Sequence, residues 1–277
     1  MESSKLKNIV LTILIITNVL LLGLVIVQRE GGRQQRRHAI QDAVDLLALQ
    51  GISARAEDMP DGELPAPMTV ERGGEWEREV FAALLGEDVT LTQRGLVSLY
   101  SGPLGAAEVR GDGGFSVTFT PGAYPLAQGQ DMEAHAQRLV QCLGFTTELS
   151  GRDGDRVRVT QVYTPGGPRS YFPIFSCAVT VEYRDGQAVS MEGTHLPGTP
   201  TADGQAGEPL STATLLVRFR AGIIDSGDAC TAIHAATQGY VLSGDASGTL
   251  RLTPVLRLET DTNLYIVNAL NGELSRG

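Results

Sequence analysis

An α+β fold behind a single N-terminal transmembrane helix is what the sequence predicts. Three observations lead there. The run Ile9 to Val27 holds 19 residues without a charge. Apolar residues then recur at helical spacing in three separated segments. Short alternating stretches with Gly-rich turns fill most of the remainder, the pattern of antiparallel meanders with flanking helices. With 33 Gly, 13 Pro and 42% hydrophobic residues, the chain suits many short elements around a real core.

The first element is the span. A helix over Ile9 to Val27 would rise about 28 Å, the thickness of a bilayer's hydrocarbon. The run exits through bulky residues, "LVIVQREGG", without the small-residue cleavage site of a signal peptide, so an uncleaved anchor is expected. Lys5 and Lys7 flank its start, and Arg29, Arg33, Arg36 and Arg37 flank its end. Counting positive charges alone would put the body in the cytoplasm. Asn18 and Gly23 stand out inside the span. An amide in hydrocarbon finds a donor or acceptor on a partner helix, and a small residue lets backbones approach. Tolerance of both by an unpartnered span is the competing reading.

The body comes next, in chain order. "RRHAIQDAVDLLALQGI" reads as an amphipathic helix with Ile40, Val44, Leu47 and Ala48 near one face and Gly51 as its stop. Pro60, Pro65 and Pro67 mark a loop. "EWEREVFAALLGEDV" is a second helix, apolar through Val80, Phe81, Leu84 and Leu85, ending at Gly86. "GGFSVTFTP" alternates Phe115, Val117 and Phe119 as a strand does. At Asp131 the pattern restarts, with a helix in "DMEAHAQRLVQCLGF". Its Gly-closed end repeats that of "AIQDAVDLLALQGI", a weak internal repeat. "RVRVTQVYT", "YFPIFSCAVTVEY" and "QAVSMEGTHL" form a meander, and Pro197 to Pro209 a flexible loop. Ser211 is placed to cap a last helix. The end is a hairpin: Leu256 and Leu258 alternate with Arg257 and Glu259, Thr260 to Asn263 turn, and Leu264 and Ile266 alternate with Tyr265 and Val267. Its acids and hydroxyls fall on turns and a wet face.

The predicted organisation is a cytoplasmic tail over 1–8, the transmembrane helix over 9–27, a juxtamembrane helix and first α+β lobe over 28–130, and a second α+β lobe over 131–277. The net charge is −10 and no lysine follows Lys7, so a nucleic-acid partner is not expected. Aromatics at 5% are too few for a stacking surface. Cys142, Cys177 and Cys230 lie beside apolar residues and read as buried thiols, with no CxxC pair. His38, His135, His195 and His234 lack metal spacing, and His38 and His135 fall on polar helix positions. There is no G-x-S-x-G elbow and no phosphate loop. "RDGD" at Arg152 to Asp155 and "RGD" at Arg110 to Asp112 read as turns. No catalytic residue, metal site or cofactor is expected.

Three stretches carry a family resemblance: "SKLKNIVLTILIITNVLLLGL", "YFPIFSCAVTVEYRDGQAVSMEGTHL" and "GYVLSGDASGTLRLTPVLRLETDTNLYIVNALNGEL". They resemble the YycI/YycH group, membrane-anchored regulators of the WalK (YycG) sensor histidine kinase. The closing pattern is also similar to PepSY-type repeats. Leu256 departs from it, standing where an aromatic is common. The resemblance implies an extracytoplasmic body, two α+β lobes, no catalysis, and a single span at the cell membrane. The implied partners are a sensor histidine kinase of WalK type, met through Asn18 and Gly23, and a YycH-like sister protein. A tethered PepSY-like binding module, inhibiting or assisting assembly at the cell wall, is the alternative.

Overall fold

The structure, a computed structural model, describes residues 31–72, 74–95, 97–144, 146–165, 171–244 and 249–277, the side chain of Trp76 excepted. The expected span, and Asn18 and Gly23 within it, lie outside the described residues. Among the described residues no helix is long and apolar enough to cross a membrane.

Helix α1 occupies 31–48. Ile40, Ala43, Val44 and Leu47 recur at i, i+3, i+4 and i+7 and are all buried. Ala48, expected on that stripe, is exposed, because one residue further turns the side chain away from it. Gly51, at φ +81°, ends the helix. Gly51 N–H then reaches Ala48 O at 3.0 Å, and Ile52 N–H reaches Leu47 O at 3.1 Å.

A single 3-10 turn, Ala56–Asp58, and the Pro-rich segment lead to β1 (Met68–Val70) and α2 (Gly74–Leu85). Four strands come after α2: β2 (Thr90–Arg94), β3 (Val97–Gly102), β4 (Gly105–Arg110) and β5 (Gly114–Phe119). Sequence periodicity signals only the last of these. Helix α3 (Met132–Gln141) starts at Asp131, whose carboxylate accepts from Glu133 N at 3.3 Å and Ala134 N at 3.1 Å. The meander is β6 (Thr146–Asp153), β7 (Arg156–Tyr163), β8 (Phe172–Arg184) and β9 (Gln187–Thr194). The loop expected over Pro197 to Pro209 contains a short strand, β10 (Pro200–Ala202). Helix α4 (Thr212–Ser226) is capped by Ser211, whose Oγ accepts from Thr214 N at 3.3 Å. Strands β11 (Ile233–Gly244), β12 (Leu250–Thr260), β13 (Leu264–Asn268) and β14 (Leu274–Arg276) complete the order.

Among the described residues the result is mixed α+β with one large, mainly antiparallel sheet of 14 strands. Its main path runs β10-β1-β12-β11-β8-β9-β5-β4-β3-β2, with β13 and β14 beyond β12, and β6 and β7 beyond β8. Among the described residues the two halves of the sheet meet at one parallel bridge, Tyr240 against Ile174. Gly239 makes that seam possible: a Cβ there would lie 2.5 Å from Pro173 O and 2.6 Å from the Phe175 ring.

Three apolar clusters form the core. The first gathers Val80, Phe81 and Leu84 of α2 with Leu139 and Val140 of α3 and the inner face of β3–β5 and β7–β9. The second joins α1 to α4, β12 and β13 through Ile40, Val44, Leu47, Leu215, Phe219, Leu258 and Val267. The third, with Val70, Cys177, Leu196 and Tyr240, lies at the seam. Packing therefore crosses the expected division at 130/131, since α1 shares a core with α4 rather than with α2. The weak repeat comes down to a shared helix stop. Gly144 (φ +83°) matches Gly51 (φ +81°), but α3 leads into a hairpin and α1 into coil and a lone bridge, Ser53 to Ala232.

Three expectations change. Cys142 is exposed, past the end of α3, and only Cys177 and Cys230 are buried. His135 is half-buried, 2.8 Å from the Tyr183 hydroxyl, which also donates to Met132 O at 3.3 Å. In β13 it is Tyr265 and Val267 that enter the core, while Leu264 and Ile266 stay half-buried. The pairing of Leu256 with Val267 and Leu258 with Tyr265 puts those side chains on one face.

Candidate functional site

The surface that the sequence singles out most strongly, Asn18 and Gly23, is not among the described residues. Helix α1 is already formed at Gly31, the first described residue, and a cleft beside α1 is built from three pieces of backbone. Arg36 and Ile40 supply one wall, Asp61 to Leu64 a second, and Glu208 to Ala213, at the start of α4, a third. Its volume is about 430 Å³.

Each wall is tied down. Arg36 Nε donates to Asp61 O at 3.2 Å and its Nη1 to Glu63 Oε1 at 3.0 Å. Arg37 Nε donates to Asp61 Oδ2 at 2.7 Å, and that bond holds the Asp61 carboxyl below its ordinary range. Gln238 Nε2 donates to Gly62 O at 3.1 Å and to Thr212 Oγ1 at 3.3 Å, fastening the loop and the helix start to β11. Asp61, Glu63 and Glu208 on the rim outnumber Arg36, while Ile40, Leu64 and Leu210 give it apolar ground. No histidine or cysteine lines it. The arrangement suits holding a short basic or amphipathic segment and contains no nucleophile–base pair.

A buried polar cluster lies elsewhere, at α2. Glu77 is 1% exposed and accepts both Arg72 Nε (2.8 Å) and Nη2 (3.0 Å). Burial, with the Glu77 carboxylate beside it, pushes the Tyr100 hydroxyl up to about 12. His195, fully buried, meets Phe81 at 5.9 Å and Phe115 at 5.3 Å edge-to-face, and its Nδ1–H donates to Leu196 O at 3.1 Å. Burial lowers its affinity for a proton, so the ring is neutral at pH 7. Gln161 Oε1 accepts from Leu196 N at 2.9 Å. Glu, His and Tyr together are acid–base residues, yet here both Glu77 oxygens are taken by Arg72 and the rings sit in apolar packing. Their work is to pin the segment before α2 and the exit of β9 to the first core. The sequence carries one signal of this: Glu77 falls at i−4 and i−7 from Phe81 and Leu84, an acid on the apolar face.

The C-terminal acids are also structural. Asp261 accepts from Thr231 N (3.1 Å), Thr231 Oγ1 (2.6 Å) and Ala232 N (3.2 Å), which lowers its carboxyl to about 2. Asp228 Oδ2 accepts from Tyr265 OH at 3.0 Å and pairs with Arg276. These bonds fasten the turn of the β12–β13 hairpin to the segment before β11, and the end of α4 to β14. Among the described residues no group of three His, Cys, Asp or Glu side chains is placed to hold a metal ion.

No protein-family model matches the chain, and no curated protein matches it. Solved structures give low-identity likenesses. One is an uncharacterized protein from Eubacterium rectale ATCC 33656, at 10% identity over 78% of this chain and 86% of that one, TM-score 0.47. Another is the Bacillus megaterium YpeB C-terminal domain, at 12% identity over 78% of this chain and 99% of that one, TM-score 0.36.

Proposed function

We propose that the chain is a membrane-anchored, non-catalytic accessory protein that modulates a two-component sensor histidine kinase of WalK type, built like the YycI/YycH group from PepSY-like units. One observation carries the reading. The uncharged run ends at Val27, and by Gly31 the chain is already in α1, whose Ile40, Val44 and Leu47 are locked into the second core. A helix that packs into the body couples a span to that body mechanically, where a flexible linker would not. Within the span, Asn18 is the side chain that bonds a partner helix, with Gly23 allowing close approach. The body lies outside the cytoplasm in this reading, beside the kinase's own sensing domain and a YycH-like sister protein.

The test is a crosslinked pull-down from native membranes. One sample carries the intact chain and the other a plain leucine-rich replacement of Ile9 to Val27. Recovery of a kinase that is lost on the swap, and weakened by Asn18→Leu, is the expected result. Recovery that ignores both changes rejects the span as the working surface. The acid-rimmed cleft beside α1 supports a second reading, a tethered binding module that holds a basic segment of an envelope protein. Under it, recovery survives the span swap and falls when Glu63 and Glu208 are both changed to Lys.

A further inference from the structure

Among the described residues the sheet ends at β2, β6, β10 and β14. Natural proteins blunt such edges, because a row of open N–H and C=O groups recruits another strand. Three of these edges are blunted. Strands β10 and β14 have 3 residues each, and β10 starts with Pro200. Strand β6 is broken by a bulge between Leu149 and Gly151. Strand β2 has no such protection: it is 5 residues long, regular in pairing, free of proline and exposed at every position.

The pairing with β3 fixes which groups are open. Arg94 pairs with Val97, three positions on in the chain, the spacing at which the paired residues exchange hydrogen bonds in a hairpin. By alternation Thr92 and Thr90 also bond toward β3. The backbone N–H and C=O of Leu91 and Gln93 are left on the open side. Leu91 pairs with Tyr100, so its side chain lies on the core face of the sheet, where Tyr100 is 2% exposed and Leu91 is 45% exposed. Arg94 lies on the opposite face by parity; Asp88, in the bend two residues before the strand, is exposed as Arg94 is.

We propose that β2 docks a second copy of this chain, β2 against β2, antiparallel about a two-fold axis at Leu91. In that register Leu91 meets Leu91 as a hydrogen-bonded pair and completes the apolar row beside Tyr100. Thr90 meets Thr92. Asp88 of each copy stands opposite Arg94 of the other, an attraction made twice. Shifting the axis to Thr92 would set Leu91 against Gln93 and Arg94 against Thr90, losing both the apolar match and the charge match. This interface is independent of the kinase reading and holds or fails without it.

The test uses the full chain in detergent, in a Cys142→Ser background so that the exposed native thiol does not interfere. Mild oxidation of Leu91→Cys gives a disulfide-linked dimer, whereas Thr92→Cys does not, because in this register the two copies of residue 92 are too far apart to bridge. Asp88→Arg and Arg94→Asp, each added to Leu91→Cys, lower the cross-linking yield at equal concentration by about tenfold, since each puts like charges opposite one another twice. The double swap Asp88→Arg with Arg94→Asp restores it. Restoration also shows that the single variants were folded. Absence of the disulfide at 91, equal yields at 91 and 92, or a double swap as weak as the singles each overturns the proposal.

Discussion

Substituting Gly239 by Ala tests whether the two halves of the sheet are held at a single seam. The position has ordinary strand geometry, so the substitution adds no backbone strain and acts through space alone. The added Cβ would lie 2.5 Å from Pro173 O and 2.6 Å from the Phe175 ring. Carbon does not approach a carbonyl oxygen that closely, so β11 must move from β8. That movement takes with it the bridge between Tyr240 and Ile174 and disturbs the Arg257 guanidinium, which lies 4.4 Å from the centre of the Phe175 ring. Overpacking costs about 1–3 kcal/mol, and a weakened bridge adds about 1 kcal/mol. The sum, about 2–4 kcal/mol, corresponds to a melting temperature lower by about 6–12 °C for a chain of this size. Thermal unfolding of Gly239→Ala is to be compared with Gly244→Ala, at the end of the same strand, where among the described residues the added carbon meets only Leu250 Cδ2 at 3.4 Å. A Gly239→Ala protein that melts within about 1 °C of the Gly244→Ala control would refute the seam as the tight point.

Arg72→Ala leaves the Glu77 carboxylate buried without its partner and destabilises by about 2–3 kcal/mol in urea unfolding, on the low side because Arg72 keeps 30% of its side chain exposed. Changing both residues to Met recovers most of that loss; a double variant worse than the single would contradict the account. For Asp261 the folded carboxyl sits at about 2 against an ordinary 3.8, a depressed value. Its contribution is therefore present above about pH 4 and disappears as pH falls toward 2, so the stability gap between wild type and Asp261→Ala narrows over that window. A gap that does not change with pH would exclude the mechanism. Iodoacetamide followed by mass spectrometry labels Cys142 in the native protein, while Cys177, buried and pushed up to about 12, and Cys230 react only after unfolding; native labelling of Cys177 would show that the seam opens.

The helices were legible because each carries a stripe at 3.6-residue spacing that the core uses, and because Gly51, Gly86 and Ser211 are strong local signals. The long strands β7 and β8 were legible through Val157, Val159, Val179 and Val181, which alternate and are all buried. Strand β2 was not, since an exposed edge strand needs no apolar alternation, and "TLTQR" has none. Nor could local pattern decide which face of β13 enters the core. Leu264–Ile266 and Tyr265–Val267 are both apolar enough, and the pairing with β12, fixed by tertiary register, chose the second. The cleft beside α1 is assembled from segments around Arg36, Asp61 and Glu208, far apart in the chain, so no window of sequence contains it. The cluster at Glu77 was half visible: the acid on the apolar face is a local sign, but Arg72, Tyr100 and His195 are joined to it only by folding.

The nesting of the two main cores has a consequence for how the chain is made. Every buried residue of the first cluster lies between Val80 and Met191, whereas the second draws on Ile40 to Met59 and then on Leu215 to Ala269. A ribosome therefore delivers the whole inner cluster while the apolar stripe of α1, already synthesised, has nothing to pack against. That stripe stays open until α4 emerges and is fully covered only when β12 and β13 follow, and in the nascent chain it is the surface a chaperone meets. Premature termination before Thr212 would leave a protein whose inner core is complete and whose first helix is still unsheltered.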